Sequence, residues 1–425
     1  MSYTKESAFA LPTIQSYNKS GKQGRSAERN WRPNCIFRRK ALKFAVRSDK
    51  TMSENYTQVK DDWEVARVLH LDQEEIKRCA FQSVNLTAET ELALSHTYKD
   101  CLFIGCTLPL GIKRRSKDCL FLPDMGETFH YRNHLYTPEE LYEGYSPDNP
   151  QSYQTCYDGR VYRHYIKMGK HASNVKETLA RSMHDHSISD CLREVLSHYD
   201  EHKLVGVMGG HSLSRTDDIY LRVATLSKHL TEKGFLMITG GGPGAMEATH
   251  LGAWMAGRSD QELQEAHSIM KVAERYTDKG WLETAWEVRR RYPQKDYNSL
   301  GVPTWLYGHE PSTPLATMIA KYFDNSIRED GILTIASGGI IYTPGSAGTL
   351  QEIFQEAVQN HYLTFGYASP MIFMGRDFWS HEVPVWPLMT YLVEHGKYQN
   401  LILCLTDSER EITEVLSAAS AKPQQ

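Results

Sequence analysis

The stretch Ile340-Ile341-Tyr342-Thr343-Pro344-Gly345-Ser346-Ala347-Gly348-Thr349-Leu350-Gln351-Glu352 decides the fold. Its apolar head, Ile340 to Tyr342, has the character of a buried strand. Pro344-Gly345 punctuates a turn, and Leu350 to Gln359 has helical spacing. A strand that runs through a glycine-bearing turn into a helix presents backbone N–H groups and a positive helix end to an anion. Glu352 falls in the first turn of the expected helix. A carboxylate beside an anion site is costly unless it serves the chemistry, so Glu352 is the first catalytic candidate.

Two further segments repeat this grammar. Leu204-Val205-Gly206-Val207-Met208 reads as a buried strand followed by Gly209-Gly210-His211-Ser212, then a helix from Asp217 to Lys233. Phe235 to Thr239 reads as a second strand, with Gly240-Gly241-Gly242-Pro243-Gly244 behind it and a helix from Ala245 to Gly257. Strand, loop and helix in alternation imply right-handed crossovers and a parallel sheet. Strands at Ser299–Tyr307, Met371–Met374 and Leu401–Leu403, with helices at Pro314–Glu329 and Val385–Gly396, complete the pattern. The expectation is an α/β chain, a doubly wound parallel sheet (Rossmann-like) preceded by a smaller α+β domain. The Rossmann-like domain spans residues 171–425, with a charged helical stretch near 258–298 that reads as an insertion or a lid. A helix over Ser187–Tyr199 leads into it.

The small domain occupies residues 52–170. Cys101 to Ile104 and Cys119 to Leu122 look like strands. Phe81 and Leu86, then Phe103 and Leu108, recur at five residues, a spacing that a pentapeptide solenoid would produce. Two short fragments do not establish one, and ordinary strands are expected. Thr137-Pro138-Glu139-Glu140 has the form of a capping box with proline in the first turn. Residues 1–51 form a basic extension, expected to be disordered; an organelle transit peptide or an extension upstream of a start at Met52 are the other readings. The formal net charge of -4 hides this asymmetry, so the body of the chain is acidic, which argues against nucleic-acid binding by it. No run of about 18 apolar residues suggests a membrane span. The eight cysteines contain no CxxC pair, so neither zinc nor a disulfide framework is expected, and a cytoplasmic, reducing compartment is.

Glycine loops after three strands lie together beyond the carboxyl ends of an open parallel sheet, where ligands bind. A dinucleotide fingerprint would need GxGxxG after the first strand; Gly209-Gly210-His211-Ser212 does not match, and no Walker string occurs. Arg328, in Asn325-Ser326-Ile327-Arg328, reads either as a cation complementing a helix C-terminus or as an arginine that reaches the pocket to hold phosphate or orient Glu352. His184-Asp185-His186 resembles a metal motif, but alternating residues at a helix entrance are expected to be solvated, and no metal or cofactor is expected.

The loop Gly240 to Glu247, an arginine some way before Pro344, and Pro344-Gly345-x-x-Gly348-Thr349-x-x-Glu352 together resemble the LOG-type phosphoribohydrolases, over residues 200–405. These include cytokinin-activating enzymes and nucleotide 5′-monophosphate nucleosidases, and were formerly mislabelled lysine decarboxylases. The resemblance implies cleavage of the N-glycosidic bond of nucleoside 5′-monophosphates, giving base and ribose 5-phosphate. It implies Glu352 and Arg328 as the catalytic pair and Gly345, Ser346, Gly348 and Thr349 as the phosphate loop. The motif's second glycine is Ser346 here, and the residue before the glutamate, often acidic in the family, is Gln351. Gly241, Gly242, Gly244 and Met246 are expected at the sugar or its phosphate, Glu247 at ribose hydroxyls or simply at a positive helix end, and Gly210, His211 and Ser212 at base or phosphate. No general acid for the departing base stands out. A homodimer or higher oligomer is implied, with a nucleoside monophosphate as substrate and neither nucleic acid nor membrane as partner. The rivals are a non-hydrolytic nucleotide sensor on the same fold and, from the old label, a pyridoxal-phosphate decarboxylase with Lys321 as its Schiff-base lysine.

Overall fold

The computed structural model describes residues 56–421; the expectations for residues 1–51 lie outside them. Seven parallel strands form the main sheet: β1 (Leu204–Met208), β2 (Leu236–Thr239), β3 (Ser299–Gly301), β4 (Met318–Ile319), β5 (Gly339–Tyr342), β6 (Pro370–Met374) and β7 (Ile402–Thr406). Their spatial order is β4-β3-β2-β1-β5-β6-β7, so the winding reverses between β1 and β5, which pair with Tyr342 against Met208. The helices are α1 (Asp218–Glu232), α2 (Ala245–Trp254), α3 (Asp260–Met270), α4 (Trp281–Arg291), α5 (Asn325–Ile335), α6 (Ala347–Tyr362), α7 (Val385–Glu394) and α8 (Glu409–Ser420).

The strands are apolar on both faces, as a sheet covered twice requires. Alternate residues point to opposite sides. Val205, Val207, Met237, Ile341 and Ile372 pack with Val223, Leu230 and Leu251 of α1 and α2 and Leu416 of α8. Leu204, Met208, Ile238, Ile340, Tyr342 and Phe373 pack instead with Leu333, Ile353 and Met389 of α5, α6 and α7. Helices α1, α2 and α8 thus cover one face and α5, α6 and α7 the other, the two-sided cover that right-handed crossovers produce.

The expected helix over Pro314–Glu329 is not there. Its apolar spacing fits a helix, but Leu315, Ala316, Ile319, Ala320, Tyr322 and Phe323 are buried on every side. The segment instead runs extended as edge strand β4, and the helix begins at Asn325. Tyr136 closes this edge through a two-way backbone bridge with Ile319. Phe129, Tyr136, Leu141, Cys156 and Tyr165 share the core of the α5–α7 face, so the expected domain boundary near residue 170 falls inside continuous packing. The region 258–298 is also no loose lid, because Leu263, Ala266, Met270, Ala285 and Val288 of α3 and α4 are buried in the core of the α1–α2 face. The helix expected from Ser187 begins earlier and runs Val175–Leu196. The capping box at Thr137 and Glu140 is present.

The N-terminal strands wind as a solenoid after all. Thr57–Val59, Cys79–Gln82, Leu102–Ile104 and Leu120–Leu122 form one parallel ribbon, and Glu75–Lys77, Thr97–Lys99 and Ser116–Lys117 a second. Phe81 pairs with Phe103 and Phe103 with Phe121, so successive coils advance 22 residues (81 to 103) and 18 residues (103 to 121). Each coil turns at a residue of positive φ, namely Arg78, Asp100 and Asp118. Uneven coil lengths hide the period from a reader of the sequence. The stacked rings lie 4.9 Å (Phe81 to Phe103) and 4.8 Å (Phe103 to Phe121) apart. Lys60 fastens the solenoid to the Val175–Leu196 helix through Asp190 (2.9 Å) and Glu194 (2.6 Å).

Phe103 is 1% exposed, and Phe103→Ala is expected to cost about 3–5 kcal/mol. Hydrogen exchange should then quicken across residues 79–122 while β1 and β5 stay protected; equal loosening of both would contradict a separately packed coil stack.

Candidate active site

The loops after β1, β2 and β5 are stitched together by their backbones. The Gly210 N–H donates to Pro344 O (3.1 Å), Thr343 N–H to Met208 O (2.9 Å) and Ala245 N–H to Gly210 O (3.3 Å). Gly244 has φ of +72°, and a Cβ there would strike the Gly210 carbonyl, so glycine is required. A cavity of about 350 Å³ opens at this junction, the crevice expected where strand order reverses.

One wall is the start of α6. Its N-cap, Ser346, makes no side-chain capping bond, and no acidic side chain occupies the first turn. The first N–H groups of a helix have no intrahelical acceptor, and the positive end of the helix dipole lies beside Ser346, Gly348 and Thr349, all of which line the cavity. Gly345 lies just behind, packed against Thr349. Because α6 starts at Ala347 rather than Leu350, Glu352 lies in its second turn, not its first.

Glu352 lines the cavity with Arg328. Burial pushes its carboxyl up to about 7, with the positive charge of Arg328 pulling it down and the neighbouring Glu329 pushing it up. No hydrogen bond or ion pair reaches this carboxyl among the described residues. Arg328 lies in the first turn of α5, which overturns the reading of it as a cation at a helix C-terminus. Its Nε donates to Val302 O at 3.0 Å, and its Nη2 passes so close to Gly240 that any Cβ there would collide with it.

The cavity also takes in Gly210, His211 and Met246. Gly242 borders it, since a Cβ there would stand 3.9 Å from Glu310 Oε2. The other expected substrate residues lie elsewhere. Gly241 is buried in backbone contacts, its N–H donating to Thr239 Oγ1 (2.9 Å) and its carbonyl accepting from Thr313 N–H (2.9 Å). Thr239 in turn meets His250, which bonds Ser299; burial holds His250 neutral, down to about 3. Glu247 is fully buried. Its two oxygens accept from Arg215 Nε (2.8 Å) and Nη2 (2.5 Å), and Tyr220 OH adds a third bond at 2.8 Å. It is committed to this pair rather than to ribose hydroxyls. Ser212 lines a neighbouring cavity of about 230 Å³ with Arg215, Glu247 and Tyr276.

Lys321 is 1% exposed and donates to Asp158 Oδ1 (2.6 Å) and Ser312 Oγ (3.0 Å), so its amine is not free to form a Schiff base. His184 and Asp185 are buried rather than solvated. His184 bonds Tyr136 OH, and Asp185 accepts from the N–H groups of Phe323 and Asp324 ahead of α5.

Tyr307, Glu310, Glu329 and Gln355 also line the cavity and were not singled out from the sequence. Tyr307 and Glu310 follow β3, which ends at Gly301, whereas the sequence suggested a strand out to Tyr307. A loop at that carboxyl edge is the signal that would have found them.

No protein-family model matches the chain, and no curated protein matches it. Among solved structures, the chain is similar to the molybdenum cofactor binding protein from the phototrophic bacterium Rippkaea orientalis, at 15% identity and a TM-score of 0.31, over 50% of this chain and 94% of that one.

A carboxyl raised by burial contributes stability below its ordinary range near 4.5 and loses it as pH rises toward about 7. Glu352→Gln removes that loss. The variant is expected to be more stable than wild type by about 1–3 kcal/mol at pH 8, with the gain shrinking to near zero by pH 4.5. Urea titrations at the two pH values check this, and an advantage that does not depend on pH would show that Glu352 is not the group responsible.

Proposed function

We propose that the chain hydrolyses the N-glycosidic bond of nucleoside 5′-monophosphates, as the resemblance to LOG-type phosphoribohydrolases implies. The observation that carries the reading is the junction of an uncapped helix N-terminus, Arg328 and an unpaired Glu352 on one cavity. Its volume, about 350 Å³, is in the range of small-molecule sites.

In this reading the 5′-phosphate binds at the N–H groups of α6 beside Ser346, Gly348 and Thr349, with Arg328 as the countercharge. The phosphate anchors the ribose so that C1′ faces Glu352. As the C1′–N bond lengthens, positive charge gathers on the ring, as in glycoside hydrolysis. The ionised Glu352 stabilises that charge. Its raised proton affinity also suits it to take a proton from the water that attacks C1′. Arg328 keeps a share of Glu352 ionised near neutral pH despite burial.

A homo-oligomer belongs to the same proposal: Tyr362 (74% exposed) on α6 and Tyr391 (53%) on α7 are apolar surface that a second copy would cover. A cytoplasmic compartment is likewise proposed. Among the described residues no helix is long and apolar enough to cross a membrane.

Incubation with AMP, GMP, CMP, UMP and the matching nucleosides tests the activity, with free base and ribose 5-phosphate as products. Release from monophosphates and not from nucleosides is expected. Glu352→Gln should lower kcat by about 10²-fold or more while nucleotide binding persists. Tight binding without release by the wild type would favour the sensor instead, and an undiminished Glu352→Gln rate would remove Glu352 from the chemistry.

A further inference from the structure

Besides Glu352 and Glu329, the cavity holds a carboxylate that the mechanism above leaves unused. Glu310 reaches it from the loop after β3, whereas Glu352 and Arg328 come from α6 and α5. The Glu310 side chain is 17% exposed, and among the described residues no hydrogen bond reaches its carboxylate. Its Oε1 lies 4.0 Å from His211 Nε2 and 3.8 Å from His309 Nε2. The loop that carries it is fixed by a turn, Glu310 N–H donating to Tyr307 O at 2.8 Å.

His211 is the complementary half. Its backbone follows Gly210, which is tied to the other two glycine loops on both its N–H and its carbonyl. Its ring is half exposed, lines the cavity, and has no hydrogen-bond partner among the described residues. A pinned backbone under a free imidazole, with a carboxylate at the edge of ion-pair range, is the arrangement of an acid–base group and its orienting partner. Such contacts are often long in an empty site and tighten around substrate.

We propose that His211, oriented by Glu310, is the general acid that protonates the departing base. This rests on reading the cavity as an N-glycosidase site. The C1′–N bond breaks with its electron pair going to the base. The imidazolium of His211 gives the base a proton. Water adds to C1′ and its proton passes to the Glu352 carboxylate. One water is consumed, and the proton on Glu352 returns to His211 through solvent. His211 touches the base, while Glu310 is a positioning residue that orients the His211 ring toward it. Two acidic side chains then divide the work: Glu352 serves the sugar, and Glu310 serves the leaving group through His211.

The test compares substrates that differ in their need for a leaving-group proton. Wild type, His211→Gln, Glu310→Gln and Glu352→Gln are assayed on the nucleotide that is cleaved fastest and on nicotinamide mononucleotide, whose base departs neutral without protonation. If the latter is not accepted, p-nitrophenyl β-ribofuranoside 5-phosphate replaces it as the activated substrate. His211→Gln and Glu310→Gln are expected to lose about 10²-fold or more in kcat on the ordinary nucleotide and less than about fivefold on the activated one. Glu352→Gln should lose rate on both. Equal losses on both substrates would make Glu310 and His211 binding or structural residues and overturn the inference, as would full rates on the ordinary nucleotide. A wild type that cleaves no substrate would overturn the hydrolase reading itself, an outcome distinct from either of these.

Discussion

The reversal of winding between β1 and β5 is the constraint on which the rest of this molecule depends. Side by side and in register, these strands send their following helices to opposite faces, α1 to one and α6 to the other. Two chains that part in this way leave a crevice that no side chain of the sheet can fill. The backbone bonds from Gly210 to Pro344 and from Thr343 to Met208 keep the parting narrow. The position of α6's N-terminus, and with it the orientation of Glu352, follows from these bonds. A site built on strand ends and helix starts inherits their rigidity, which places a carboxylate more firmly than a free loop would.

Glu247 and Glu352 show how similar sequence signals end in different surroundings. Both follow a glycine loop and both lie in the opening turns of a helix. Glu247 is fully buried, yet it is satisfied by the two-pronged contact with Arg215 and by Tyr220. Removing one partner of such a pair costs more than the pair contributes, so its role is to hold α2 against the α3–α4 region. Glu352 has a nearby arginine but no direct partner, and burial raises its proton affinity instead. That is the less stable arrangement of the two.

Much of this was legible in the sequence. The strand β1 was read to the residue, and β5, β6 and α1 to within a residue or two, because apolar runs bounded by glycine define parallel strands well. Glu352 and the glycine-bearing turn before it stood out in the sequence, and the family resemblance added Arg328; Arg328, Ser346, Gly348, Thr349 and Glu352 line one cavity. What stayed hidden was set by tertiary packing. The apolar spacing of residues 314–323 fitted a helix, although Leu315, Ala316, Ile319, Ala320, Tyr322 and Phe323 are buried in an extended segment, because a run of buried residues does not by itself fix the period. The solenoid was masked because its coils differ in length, so Phe81, Phe103 and Phe121 stack at 22 and then 18 residues. Glu310 was invisible because nothing local distinguishes a carboxylate in a polar loop until the fold brings that loop to the carboxyl edge of the sheet.

The second glycine loop illustrates the same point in reverse. Its run of glycines suggested direct contact with sugar or phosphate, yet Gly241 and Gly244 are spent on holding neighbouring backbone, and only Met246 and the border position Gly242 approach the cavity. The role of Gly240 is to have no side chain: the Arg328 guanidinium occupies the space where a Cβ would stand. A glycine-rich loop can therefore serve a cavity without lining it, by yielding volume to an arginine that does. The distinction is energetic as well as geometric. An arginine admitted through such a gap and fixed by its Nε bond to Val302 O would have less side-chain entropy left to lose on meeting any ligand.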